Sequence, residues 1–280
     1  GFVTGLTKEQ FIKELNDIGM VVASQTDNLV PLDKVVYALR DVSGTTESIP
    51  LIAVSIMSKK IASGADKILI DIKVGKGALL KTMKDARNLK DIMIRIGARY
   101  NKEVRCLISE MNNPLGMCVG NSLEVAEAVE LLNGKVRNNL YDLCVDIASN
   151  MVSMALGCSM IKARKAVIDS IESKKAYNKL LEFINYQHGN LDKMKISKNK
   201  IEVQSSRSGV VKSIDAHKIS EISCLLGSGK MKKDDVIDHE VGVFLNKLVG
   251  DKVERGDVIC TIYCNKIKKD FGIENAYVIE

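Results

Sequence analysis

The sequence predicts an α/β fold that continues into a smaller C-terminal α+β domain. Residues 68–74 form a near-continuous apolar strand, and a glycine turn, a long helical pattern and a second strand at 104–111 follow it. A strand, a helix and a strand within about 40 residues make a parallel crossover unit. The chain has 280 residues and is 46% hydrophobic, which is enough for one large core and a smaller second one. Short strands and turns beyond residue 208 indicate the second domain.

At the N-terminus, the first element is a helix with a recognisable start. Thr7 and Gln10 have the spacing of a capping box, in which each side chain bonds the backbone N–H of the other residue. We expect this helix to end near Ile18. The apolar residues 20–24 predict a short strand after it.

Two helices are expected between residues 31 and 62. The first is an amphipathic run that ends at Arg40, and the second begins at Pro50, a residue favoured in the first turn of a helix. Ser55 and Lys59 are four residues apart on the second helix and project from one face. A short link between the helices would bring Arg40 to the same apolar wall. From spacing alone, this wall is either a ligand site or a surface helix with solvated lysines.

The crossover unit has its binding loops at the carboxyl ends of its strands, as parallel sheets do. Those ends are residues 73–77 and 109–113, and a helix from about Leu79 to Tyr100 joins the two strands. The glycine turn in the first loop lacks a complete phosphate-loop pattern. Phosphate binding and a purely steric role therefore both stay open for this turn.

A turn at residues 112–120 and another helix follow the second strand. Asn121 or Ser122 is expected to cap this helix, and Glu124 in its first turn complements the helix dipole. Glu127 is nearer the helix interior. Further along, residues 193–207 are polar and lysine-rich, which predicts a linker to the C-terminal domain at 208–280.

Composition argues against several classes of function. The net charge of +6 comes from scattered lysines without interleaved aromatic residues, which disfavours nucleic-acid binding. The seven cysteines form no CxxC pair or Cys/His cluster, so no zinc site is expected, and their apolar surroundings indicate a reducing, cytoplasmic compartment. No apolar run reaches the ~20 residues that a membrane span requires. The three histidines, His188, His217 and His239, have no catalytic companion and are expected to be solvated or structural.

Three stretches of the chain carry a resemblance to a known family. They are "YALRDVSGTTESIPLIAVSIMSKKIASGADKILIDIKVGKGAL", "MNNPLGMCVGNSLEVAEAVELL" and "LGSGKMKKDDVID". Together they closely resemble the pyrimidine-nucleoside phosphorylases, the family that also holds thymidine phosphorylase. The resemblance implies a mixed or parallel-sheet α/β domain at 1–31 and 63–192 and part of a small, dimer-forming helical lobe at 32–62. The linker at 193–207 and the α+β domain at 208–280 would follow.

The resemblance also implies an activity. The family consists of pentosyltransferases, which are glycosyltransferases of pyrimidine metabolism and nucleoside salvage. They convert a pyrimidine nucleoside and phosphate, the co-substrate, to the free base and (deoxy)ribose 1-phosphate. Arg40, Ser55 and Lys59 match the family residues that hold the pyrimidine ring. No catalytic acid is implied, because donors aimed at the base oxygens stabilise the negative charge that builds on the departing base.

A potassium ion is implied by the same resemblance. In the family, main-chain carbonyls of the turn and a glutamate on the next helix bind it, and the matching positions are Leu115, Cys118 and Glu127. Carbonyl and carboxylate oxygens suit a hard cation. The "PLG" turn favours the broader pyrimidine type, which accepts uridine, thymidine and deoxyuridine. Leu79 occupies a position where the family usually has an aromatic residue.

One family motif is expected outside these residues. The phosphate-binding Lys-His-Ser-Thr-Gly-Gly segment of the family would precede Gly1. An oriented nucleophile can supply about 7–11 kcal/mol of the barrier. We therefore expect this chain alone to have little or no activity and to need a separate N-terminal fragment, and we expect a homodimer.

Two alternatives to this activity stay open. The first is a non-catalytic remnant that keeps a base-binding or dimerisation surface. The second is a phosphorylase of nucleoside monophosphates, which needs a further site for the 5′-phosphate.

Overall fold

The computed structural model describes residues 2–24, 30, 32–33, 36, 39, 43–232, 234–266 and 269–280. The chain divides into two compact units. Unit 1 consists of residues 1–73, 79–109 and 145–192, and unit 2 consists of residues 74–78, 110–144 and 193–280.

Helices dominate the first two thirds of the described chain, and short strands dominate the last third. In chain order the elements are α1 (Lys8–Ile18), α2 (Ile49–Ala62), β1 (Lys67–Val74), α3 (Met83–Arg99), β2 (Glu103–Glu110), β3 (Cys118–Val119), α4 (Asn121–Leu132), α5 (Asn139–Leu156), α6 (Met160–Glu172), α7 (Lys175–Tyr186), β4 (Lys200–Gln204), β5 (Gly209–Ile214), α8 (Ala216–Leu226), β6 (Gly242–Leu245), β7 (Lys252–Val253), β8 (Val258–Tyr263) and β9 (Tyr277–Ile279). Short 3-10 helices lie at Leu191–Lys193 and Ile273–Ala276. The predicted α/β class is confirmed.

The predicted capping box at the start of α1 is confirmed. The N–H of Gln10 donates to Thr7 Oγ1 at 3.2 Å, and the N–H of Thr7 donates to Gln10 Oε1 at 2.8 Å. The helix ends at Gly19, whose φ of +75° lies in the left-handed region that glycine adopts without strain.

The strand predicted at residues 20–24 is wrong. These residues form no strand, and the side chain of Gln187 bonds the backbone of Val22 in place of a neighbouring strand. Gln187 Oε1 accepts the N–H of Val22 at 3.2 Å, and Nε2 donates to the carbonyls of Val22 and Val3 at 2.8 and 2.6 Å. Gln187 is 1% exposed, so these bonds satisfy the amide away from water.

Strands β1 and β2 pair in parallel, as predicted. The Glu103 N–H donates to the Asp66 carbonyl at 3.0 Å at the start of the strands, and the Met111 N–H donates to the Val74 carbonyl at 2.8 Å at their ends. Alternate residues of β1 are buried, and the intervening face is half-buried. The two predicted binding loops therefore leave the sheet at the same edge.

The crossover helix α3 begins later than predicted. Its first residue is Met83 and its N-cap is Thr82, whose hydroxyl accepts the N–H of Asp85 at 3.1 Å. Leu79 belongs to the loop before it and is 54% exposed. The apolar residues after the glycine turn continue the helical pattern toward the N-terminus. Periodicity alone therefore placed the start of the helix too early, because it does not locate the N-cap. Within unit 1, α3 packs against α2.

The C-terminal strands form two antiparallel sheets around one hydrophobic core. The strand order is β3-β6-β8-β4 in one sheet and β7-β5-β9 in the other. Helix α8 packs against β6. Members of the core with no measurable exposure include Ile219, Val243, Leu245, Ile259 and Ile262.

The predicted linker at 193–207 is wrong in its second half. Residues Lys200–Gln204 form β4, which pairs antiparallel with β8, and Val203 of this strand belongs to the core. The lysine-rich composition resembled a linker because β4 is an edge strand with mostly polar side chains. Residues 110–144 also group with the C-terminal strands, since β3 pairs with β6. The helical lobe predicted at 32–62 stays a prediction.

Among the described residues, no single helix is long and apolar enough to cross a membrane. Helices α5 and α6 pass that test only as a pair, with a bend of 119° between them.

Glu14 on α1 is a buried acid, and one of its carboxylate oxygens lacks a partner among the described residues. Glu14 is 2% exposed, and the oxygen in question is Oε1. Burial raises the pKa of this carboxyl above its ordinary value. The folded protein therefore holds the proton more tightly than the unfolded chain does, and the ionised form costs stability at neutral pH.

Replacing Glu14 with glutamine should stabilise the protein at pH 7 by about 1 kcal/mol, because the charge is removed from an apolar site. The gain should shrink as the pH falls from 7 toward 4.5, the ordinary pKa of the carboxyl, and should vanish below it, where the wild-type carboxyl is protonated in both states. Urea unfolding at several pH values measures this difference. Glu9→Gln on the same helix is the matched control with the opposite sign, because hydrogen bonds lower the pKa of the exposed Glu9. A gain that does not depend on pH would contradict the prediction.

Candidate functional site

Helix α2 brings two of the predicted base-binding residues together. Pro50 lies in its first turn, as predicted. Ser55 and Lys59 are four residues apart on this helix and therefore lie on one face. Lys59 Nζ donates to Ser55 Oγ at 3.3 Å. Ser55 is buried, whereas the Lys59 side chain is 31% exposed. The ammonium is thus half-buried beside a buried hydroxyl, and both are hydrogen-bond donors.

The third predicted residue, Arg40, lies outside the described residues. Its role stays a prediction from the resemblance. The same holds for most of the helix expected before it.

Sequence reasoning missed Asp33, which contacts the same lysine. Asp33 Oδ2 lies 2.8 Å from Lys59 Nζ, and the Asp33 side chain is 7% exposed. The pair therefore joins a buried carboxylate to a half-buried ammonium. An acid near the start of an amphipathic run was the available signal, and such acids more often complement a helix dipole.

The glycine turn after β1 uses its own amides for structure. The Lys76 N–H donates to Asn112 Oδ1 at 3.1 Å, the Gly77 N–H to the Met111 carbonyl at 2.8 Å, and the Ala78 N–H to the Gly75 carbonyl at 3.1 Å. At Gly75, with φ of +133°, a Cβ atom would lie 2.5 Å from Asn112 Oδ1. These contacts favour the steric interpretation of the turn over phosphate binding, because its amides already have acceptors.

Polar side chains also join the half-buried faces of β1 and β2 in unit 1. Ser109 Oγ donates to Asp71 Oδ1 at 2.6 Å, and Lys73 Nζ donates to Ser109 Oγ at 2.9 Å. Lys73 also forms an ion pair with Asp71. The three groups satisfy one another, as cross-strand pairs do.

Glu127 holds the turn that was predicted to bind potassium. Its Oε1 accepts the N–H of Met117 at 2.8 Å, and its Oε2 accepts the N–H of Cys118 at 3.0 Å. Glu127 is buried, and a Cβ atom at Gly116 would lie 2.5 Å from Oε2. The carboxylate therefore touches the backbone of the turn, and only glycine permits so close an approach.

Two asparagines at the start of α5 complete this turn and were not found from the sequence. Asn138 Nδ2 donates to Glu127 Oε1 at 2.8 Å. Asn139 Oδ1 accepts the N–H of Gly116 at 2.9 Å, and its Nδ2 donates to the Pro114 carbonyl at 3.1 Å. The adjacent asparagines were the signal, but nothing local relates them to a turn more than 20 residues earlier.

The start of α4 differs from the predicted cap. The N-cap is Gly120, and neither Asn121 nor Ser122 caps the helix with its side chain. Glu124 Oε1 instead accepts the N–H of Gly120 at 3.0 Å. The predicted role of Glu124 at the positive end of the helix agrees with this contact.

The donor set around Glu127 fits a hard monovalent cation. In the part of the chain that the structure describes, the groups that donate to this buried carboxylate are neutral, and no lysine or arginine forms an ion pair with it. Burial and the Glu127 charge raise the pKa of the Cys118 thiol to about 12. The thiol therefore stays neutral and offers no thiolate to a cation. Leu115 belongs to the same turn.

Two further predictions concern a zinc site, which was not expected, and the histidines, which were expected to be solvated or structural. The described residues contain no group of three or more His, Cys, Asp or Glu side chains arranged for a metal. His217 Nδ1 lies 3.6 Å from Glu221 Oε2 on the exposed face of α8. This contact is a surface pair of the kind expected for a solvated histidine.

Comparison with known proteins relates most of the chain to one family. Residues 1–184 match the family model "Glycosyl transferase family, a/b domain", and residues 210–276 match "Pyrimidine nucleoside phosphorylase C-terminal domain". A pyrimidine-nucleoside phosphorylase of Staphylococcus epidermidis is 42% identical over 290 aligned positions, which cover 100% of this chain and 67% of that protein. The chain belongs to the pyrimidine-nucleoside phosphorylase family. The resemblance found from the sequence is thereby confirmed.

Other members of the pyrimidine-nucleoside phosphorylase family are similar over the same extent. The Bacillus subtilis pyrimidine-nucleoside phosphorylase is 42% identical over 99% of this chain and 66% of its own length. The Staphylococcus haemolyticus relative is 41% identical over 96% of this chain and 64% of its own length. The chain thus spans about two thirds of the length of the curated phosphorylases it matches.

Proposed function

We propose that this chain carries the base-binding part of a pyrimidine-nucleoside phosphorylase. The reaction is the transfer of a pentosyl group from a pyrimidine nucleoside to phosphate, which yields the free base and (deoxy)ribose 1-phosphate. The observation that carries the proposal is the pairing of Lys59 with Ser55 on one face of α2, at 3.3 Å. Family membership supports the reaction class.

The chemistry of phosphorolysis explains why these donors suit the site. The glycosidic bond breaks through an oxocarbenium-like sugar, and negative charge builds on the oxygens of the departing base. An ammonium and a hydroxyl that are already oriented stabilise this charge as it develops. Because both groups are partly removed from water, the interaction is stronger than in bulk solvent.

The substrate proposal is a pyrimidine nucleoside such as uridine, thymidine or deoxyuridine, with phosphate as co-substrate. Arg40 is proposed as the third base-binding residue because it matches the family motif. A homodimer is proposed on the resemblance, and a cytoplasmic location is proposed on the cysteine content of the sequence.

Potassium is proposed as the cation of the Glu127 turn. Glu127 would contribute a carboxylate oxygen, and Leu115 and Cys118 would contribute main-chain carbonyls. The supporting observation is the buried carboxylate that only neutral groups contact among the described residues. The ion would supply positive charge beside the Glu127 carboxylate.

Phosphate-dependent release of uracil from uridine tests the function. We expect phosphate-dependent turnover when the chain is assayed together with a segment that carries the phosphate-binding motif of the family. Uracil binding by the chain alone should also be measurable. Uracil binding without turnover under any condition would favour the non-catalytic remnant, and absence of both would contradict the proposed function.

A further inference from the structure

We propose that Asp33 is a positioning residue for the base site, whose carboxylate holds the Lys59 ammonium beside Ser55. This inference rests on the proposed function of Lys59. Asp33 itself need not touch the substrate, and it acts through the lysine.

An ion pair and a hydrogen bond of the Lys59 ammonium carry this inference. Lys59 Nζ lies 2.8 Å from Asp33 Oδ2 and 3.3 Å from Ser55 Oγ. An ammonium has three N–H donors arranged around one nitrogen. The ion pair with Asp33 and the hydrogen bond to Ser55 therefore both restrict the position of the ammonium.

The two partners of the ion pair differ in burial, with the carboxylate on the buried side. The Asp33 side chain is 7% exposed, and the Lys59 side chain is 31% exposed. The carboxylate thus anchors the ammonium from the buried side. The more accessible partner is the one that a ligand can reach.

Pre-organisation is the physical benefit of this arrangement. A lysine has a flexible four-carbon stem, and an unanchored ammonium must be immobilised when the base binds. Because the ion pair restricts the stem beforehand, less conformational entropy is lost on binding. The anchored charge also needs no reorientation as negative charge develops on the base.

The experiment is a double-mutant cycle on uracil affinity, measured by titration calorimetry with the 280-residue chain. We expect Asp33→Asn to weaken uracil binding about tenfold, and Asp33→Asn combined with Lys59→Met to bind no worse than Lys59→Met alone. Asp33→Glu should bind more tightly than Asp33→Asn, because it keeps the carboxylate. Such non-additivity would not arise from a general loss of folding.

Asp66→Asn is the matched control. Asp66 pairs with Lys102 at 3.0 Å in the same unit, and the Asp66 side chain is 91% exposed. This variant also removes one carboxylate from an acid–lysine pair and should leave uracil affinity unchanged. Thermal unfolding of each variant establishes that it is folded.

Two outcomes overturn the inference while the proposed function stands. One is wild-type affinity in folded Asp33→Asn, and the other is an additive loss in the double variant. If Asp33→Asn does not fold, the smaller Asp33→Ser is measured by the same criteria. A wild-type chain that binds no uracil would instead overturn the proposed function, and this inference with it.

Discussion

Replacing Lys59 with methionine is expected to lower kcat/KM for phosphate-dependent cleavage of uridine by at least about 100-fold. The assay uses the chain together with the added phosphate-binding segment. Methionine keeps much of the unbranched stem but removes the ammonium that lies 3.3 Å from Ser55 Oγ. Because the charge on the departing base is greatest in the transition state, the loss should fall mainly on kcat.

Lys60→Met is the matched control for this variant. Lys60 is the next residue of α2 and is exposed, so its charge should contribute little to the site. Ser55→Ala should have a smaller effect than Lys59→Met, since it removes a neutral donor. Equal losses in the Lys59 and Lys60 variants would mean that overall positive charge, and not a placed ammonium, supports the reaction.

The second large effect is expected at Glu127. Glu127→Ala should lower the free energy of unfolding by about 3 kcal/mol, because it leaves the N–H groups of Met117 and Cys118 without their acceptor. The Asn138 amide loses its acceptor as well. Urea unfolding measures the change, and unit 2 should be the part affected because all four residues belong to it.

Glu124→Ala provides the comparison on the same helix. Glu124 is exposed, and its carboxylate accepts one backbone N–H, that of Gly120. Its removal should therefore cost much less than removal of Glu127. If both variants lose the same stability, the buried contacts of Glu127 do not hold the turn.

The proposed potassium site predicts a further measurable difference between Glu127→Ala and Glu124→Ala. Potassium chloride in place of sodium chloride at equal ionic strength should raise the melting temperature of the wild type, since an ion that binds only the folded state stabilises it. The shift should persist in Glu124→Ala and disappear in Glu127→Ala. A shift that persists in Glu127→Ala would place the potassium effect elsewhere in the molecule.

Much of the fold could be predicted from local sequence patterns. The capping box at Thr7, the parallel crossover of β1 and β2, and the shared face of Ser55 and Lys59 all depend on spacing within one element or between neighbouring elements. The errors have a common cause. The strand predicted at 20–24 and the linker predicted at 193–207 were each decided by pairing with residues far away in the chain.

In the candidate site, too, some features follow from local sequence patterns and others depend on distant segments of the chain. The sequence by itself determined which residues share a helical face, where the strand ends lie and which family the motifs resemble, because periodicity sets side-chain directions within an element. Only the tertiary structure decided that Asp33 pairs with Lys59 and that Asn138 donates to Glu127. A buried polar atom takes its partner from whichever distant segment packs against it, and that choice leaves no local pattern in the chain.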